Sequence, residues 1–144
     1  MWLSGPMPSE YPTTALELRS TLTDDGVITL AIRGADVADP GDDHVVVRVE
    51  AAPINPSDLG MMFAGGDPSA GLPAGDGIHD AVAVPVTEAA VAAQRARLGK
   101  PMPVGNEGGG VVVAAGSSPA AQALLGKTVG FLSGNAYAQY RTLH

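Results

Sequence analysis

Residues 101–116, PMPVGNEGGGVVVAAG, limit the fold of this chain more than any other stretch. Five small apolar residues, Val111, Val112, Val113, Ala114 and Ala115, stand between Gly110 and Gly116. The run is too short for a helix and rich in β-branched side chains, so a strand buried on both faces is expected. Three consecutive glycines, Gly108, Gly109 and Gly110, would weaken that strand unless another backbone or a ligand approaches closely. The bend ahead of them carries one amide, Asn106, and one carboxylate, Glu107, which marks it as a candidate site.

The flanking chain is patterned for strands. Residues 15–22 alternate apolar and polar, Asp24-Asp25-Gly26 reads as a turn, and 27–32 alternate again, which predicts a β-hairpin. After a second turn at 39–43, residues 44–52 form the longest strand candidate, apolar enough for the centre of a sheet. Residues 81–85 are expected as a short edge strand, because Pro85 limits pairing, and 127–132 and 136–142 as two strands around a turn at Ser133-Gly134-Asn135. With 19 Gly and 12 Pro, the composition favours a mainly β fold with short helices.

Helices are predicted from Pro56 to about Phe63, over 87–98 with Thr87 as cap and Gly99 as stop, and over 120–125 with Ser118 as cap. At the first of them Asn55, Ser57 and Asp58 cluster at a strand-to-helix junction. Their residue types are those of common helix caps, with Asp58 near the positive end of the dipole, and on local evidence capping is the preferred reading, with a functional site as the alternative. Residues 65–77 carry no period and read as a surface loop long enough for function or mobility.

The 144 residues are one domain's worth. Residues 1–13 are expected as a flexible N-terminal segment and 14–144 as the domain. A net charge of -7 and a pI near 4.6, without a basic stripe, disfavour nucleic acid and anionic membrane surfaces as partners. The absence of cysteine excludes disulfides and thiolate metal sites. The three histidines, His44, His79 and His144, share no metal-ligand spacing. No apolar run is long enough to span a bilayer, and residues 1–12 lack a basic n-region and an apolar h-region, so a cytoplasmic protein is expected.

Three motifs in order, VVVRVEAAPINPSD at 45–58, PVGNEGGGVVVAAG at 103–116 and LLGKTVGFLSGNAYAQY at 124–140, carry a resemblance. Together they resemble the N-terminal, GroES-like domain of the medium-chain dehydrogenase/reductase superfamily, in its zinc-independent quinone oxidoreductase and enoyl reductase branch. The likeness covers nearly all of 15–142 and implies a strongly bent, partly open β-barrel. Zinc relatives carry Cys and His at the positions matched by Asn55 and Asn106, and neither amide suits zinc, so no metal is expected.

The resemblance implies hydride transfer from NADPH to a quinone or an enone. By it, Ser57 is the candidate catalytic hydroxyl and Asn55 the candidate cofactor contact, both near the nicotinamide. Asn106, Glu107, Phe63 and Tyr137 are the candidate substrate-cleft residues. The tyrosine proton donor of many enoyl reductases has no match in Met61-Met62-Phe63-Ala64-Gly65. Relatives continue into a dinucleotide-binding Rossmann domain, and no strand followed by G-x-G-x-x-G and a helix occurs in these residues. The chain is therefore expected to be the substrate side of such an oxidoreductase, cut before the cofactor domain and inactive alone. The alternative is a non-catalytic GroES-like binding or interaction module. In either case Met61, Met62, Phe63, Tyr137, Tyr140 and Leu143 are expected to form an exposed apolar patch, for the Rossmann domain or for self-association.

Overall fold

The computed structural model describes residues 11–75 and 80–144. In chain order the elements are β1 (Thr14–Leu22), β2 (Val27–Asp36), β3 (Val45–Ala51), α1 (Pro56–Phe63), β4 (Leu72–Pro73) and β5 (Ala81–Pro85). They continue with α2 (Glu88–Ala93), β6 (Met102–Pro103), β7 (Glu107–Ala115), α3 (Pro119–Gln122), β8 (Thr128–Leu132) and β9 (Tyr140–Leu143). The fold is mainly β, with two antiparallel sheets ordered β4-β5-β2-β1-β6 and β8-β7-β3-β9. Most of the expected flexible segment, all of His79 and the end of the 65–77 loop lie outside the described residues. Tyr11, inside that segment, is buried and donates its hydroxyl proton to Asp39 Oδ1 at 2.8 Å.

The hairpin of β1 and β2 forms where the alternation predicts it, with Gly26 at φ +79° in the turn and Leu18 opposite Ile32. Leu22 and Ile28 from this ribbon join Ala64 and Val84 in one buried cluster. A second cluster, Val45, Val47, Val112 and Ala121, fills the other sheet. Fully burying the leucine, isoleucine and valine side chains among these contributes roughly 1.5–3 kcal/mol each.

Four expectations change in the structure. β5 is not an edge strand: it pairs with β2 over five residues, and the two-residue β4 covers its other side. The helix expected over 87–98 divides into α2 and a 3-10 turn at Arg95–Arg97, because Gln94 leaves helical geometry and donates Nε2 to Ala64 O at 3.1 Å. β8 and β9 flank the Ser133-Gly134-Asn135 turn without pairing, since β8 joins β7 while β9 joins β3 at the opposite edge. Between them, residues 136–139 run beside β1, with Leu18 N–H donating to Tyr137 O and Gln139 N–H to Leu16 O, so this segment joins the two sheets.

The fourth concerns β7, which is central but not buried on both faces, only Gly110 and Val112 along it being buried. It begins at Glu107, and the three glycines lie inside it. A Cβ on Gly110 would stand 2.0 Å from Arg48 O, and one on Gly108 2.8 Å from the Phe131 ring. Close backbone approach by β3 therefore explains the glycine at 110.

Candidate functional site

The site is built on α1, which starts where β3 runs out. Asn55 is extended, as a residue before proline should be, and Pro56 opens the helix. Asp58, the third helical residue, accepts the Asn55 N–H at 2.8 Å, one half of a capping box. The helix stops at Ala64, which adopts φ +52° and donates its N–H to Gly60 O. Its last carbonyls are met from outside: Ser20 Oγ donates to Met62 O at 2.9 Å and Arg97 to Met61 O at 3.0 Å. Arg97 also donates to Ser20 Oγ and Gln94 Oε1, and burial pushes its guanidinium pKa below the ordinary value.

The fold brings the two polar motifs together. Asn55 Nδ2 donates to Glu107 Oε1 at 2.6 Å, and Asn106 Nδ2 donates to Ser57 Oγ at 3.0 Å. Beneath these pairs Asp58 is wholly buried, and its Oδ1 accepts the Asn106 N–H at 3.0 Å. One carboxylate therefore fixes the start of the helix and the GNE bend at once. Tyr137 closes the side: its hydroxyl donates to Pro53 O at 2.9 Å, and its ring packs where a Cβ on Gly105 would stand. Gly105 is held at φ +94°, a second reason for glycine there. Burial raises the Tyr137 phenol to about 12, and the adjacent Asp58 carboxylate adds to the shift.

Ser57 is exposed, and Asn55, Asn106 and Glu107 are half-buried, so the cluster faces outward. Because the Ser57 oxygen accepts from Asn106, its own proton is free to donate to a bound carbonyl oxygen. Around the cluster Ile54 is 70% exposed and Leu132, opposite Glu107 across β7 and β8, is 83% exposed.

Of the residues singled out from sequence, Asn55, Ser57, Asn106, Glu107 and Tyr137 converge. Phe63 does not: it packs against the cluster of Leu22, Ile28, Ala64 and Val84. The expected apolar patch is corrected in the same way, Met62 being buried and Leu143 lying against Val45, Val47, Val112 and Ala121. The bearing of Asp58 on the GNE bend was not visible in sequence, where it signalled a cap alone. His44 and His144 share no sequence spacing, yet their rings meet edge to face at 5.1 Å. Among the described residues no group of three or more His, Cys, Asp or Glu is placed to hold a metal ion. No helix among them is long and apolar enough to cross a membrane.

Compared with known proteins, the sequence matches no protein-family model and no curated protein.

Proposed function

We propose that this chain is the substrate-side domain of a zinc-independent, NAD(P)H-dependent quinone or enone oxidoreductase, working with a dinucleotide-binding domain outside these residues. The supporting observation is the meeting of Asn55 and Ser57 with Asn106 and Glu107 through two side-chain hydrogen bonds. A GroES-like, partly open β-barrel is the architecture that goes with this reading, and the cytoplasm the compartment. When bound, NADPH supplies a hydride to the electron-poor carbon of the substrate. The amide of Asn55 and the hydroxyl of Ser57 match in kind the hydrogen-bonding needs of a nicotinamide carboxamide and of a substrate carbonyl. Asp58, through the Asn55 and Asn106 N–H groups, holds both in position.

The test is amide chemical-shift mapping of the chain titrated with duroquinone or cyclohexenone. Saturable shifts concentrated at 53–58 and 105–108, and weakened by Ser57→Ala, are expected. Shifts scattered over the surface, or none at millimolar ligand, overturn the assignment. A second reading, a non-catalytic module that self-associates, is favoured by the exposure of Ile54 and Leu132 beside the cluster.

A further inference from the structure

The β1–β2 ribbon has two unlike faces. Leu22 and Ile28 enter the core, whereas the alternate positions Glu17, Arg19, Thr21, Thr29 and Arg33 open onto a cavity of about 890 Å³. Arg141, from β9 of the other sheet, also lines this cavity. The volume is that of a small-molecule site.

The charges are unevenly satisfied. Glu17 is buried and ion-paired with Arg19, which also donates to Pro101 O. Arg141 is different: its Nε is buried with no hydrogen-bond acceptor among the described residues. Burial lowers its pKa, Glu17 opposes that shift and the charge of Arg19 adds to it. A buried N–H without an acceptor is costly, and a bound anion would supply the missing acceptor. Three of the eight basic residues of a chain with net charge -7 line this one cavity, against two carboxylates, Glu17 and Asp36.

We propose that the cavity between the β1–β2 ribbon and Arg141 binds a small molecule bearing an oxyanion, a phosphate ester or a carboxylate. Arg141 and Arg33 take the charged group, and the Thr21 and Thr29 hydroxyls, directly opposite each other and two same-face pairs further along the ribbon, line the far end of the cavity. Ala31 and Pro101 carry the apolar remainder. The proposal is independent of the polar cluster on α1.

Thermal unfolding of the full chain in pyrophosphate, in citrate and in sodium chloride at matched ionic strength tests it. A saturable rise in Tm beyond the chloride control is expected, the more effective anion naming the group, phosphate or carboxylate. Arg141→Met or Arg33→Gln should weaken the apparent affinity about tenfold, while Arg95→Gln leaves it unchanged. If Arg141→Met does not fold, Arg33→Gln, on the exposed part of β2, decides alone. A Tm that follows ionic strength only, or saturation unchanged in the folded variants, overturns the proposal.

Discussion

The buried carboxylate of Asp58 accepts the main-chain N–H of Asn106 at 3.0 Å, from a residue 48 positions further along the chain. With the Asn55–Glu107 and Asn106–Ser57 side-chain bonds, it holds the two polar motifs together. Asp58→Asn keeps the shape and replaces a charged double acceptor by a neutral amide facing two N–H donors. The expected cost is about 2–4 kcal/mol, read as a fall in the urea midpoint at unchanged slope. A midpoint equal to wild type would remove Asp58 from this role.

Tyr137 and Tyr11 both hold their protons late, at about 12, chiefly through burial, with Asp58 and Asp39 respectively adding to the shift. The folded state thus binds more protons than the unfolded one between pH 10 and 12. The stability each contributes is complete below pH 10 and lost as pH rises through 12. Alkaline titration followed by phenolate absorbance should show two late-ionising phenols, and Tyr137→Phe should abolish one. Titration of every phenol by pH 10 contradicts the arrangement.

Glycine at 110 and at 130 differ in what surrounds them. A Cβ at 110 would overlap Arg48 O, whereas nothing lies within 4 Å of one at 130. Gly110→Ala is therefore expected to cost more than about 3 kcal/mol, and Gly130→Ala to stay within about 0.5 kcal/mol of wild type. Equal melting temperatures for the two variants would be inconsistent with the close approach of β3 to β7.

Residues 1–144 alone should not oxidise NADPH with quinones or enones, because orienting the nicotinamide against the substrate supplies much of such catalysis. Saturable NADPH consumption by the purified chain refutes this. Should a dinucleotide-binding partner restore turnover, Ser57→Ala and Asn55→Ala ought to reduce it, and a change at the exposed Arg95, Arg95→Ala, ought to reduce it less.

Self-association through the face around the cluster would appear as concentration-dependent sedimentation. Leu132→Glu is the informative change, since that side chain is 83% exposed, while Phe63→Glu would damage the core. A species that stays monomeric at high concentration disposes of this reading.

The local parts of the fold were legible from residues alone. The Asp24-Asp25-Gly26 turn, the caps at Thr87 and Ser118 and the strand at 111–115 depend on neighbours a few positions away, and the structure has each of them. What escaped depends on distant partners. The break at Gln94 answers to Ala64, the separation of β8 from β9 to β7 and β3, and the burial of Phe63 to Leu22 and Ile28. The candidate cluster was half legible: its polar residues stand in two quotable motifs, but the carboxylate that joins them looks from sequence like an ordinary cap.

The seam at 136–139 has a consequence for synthesis. Gln139 meets Leu16 across 123 residues, through both its N–H and its side-chain oxygen. At translation rates of about 5–20 residues per second, the Leu16–Leu18 edge of the first hairpin waits roughly 6–25 s for that partner to be made. During this interval a nascent chain presents Leu16 and Leu18 N–H groups without their final acceptors, on the strand that also carries Glu17. The side of the hairpin that faces the seam therefore stays an open strand edge until residues 137–139 have been made and docked.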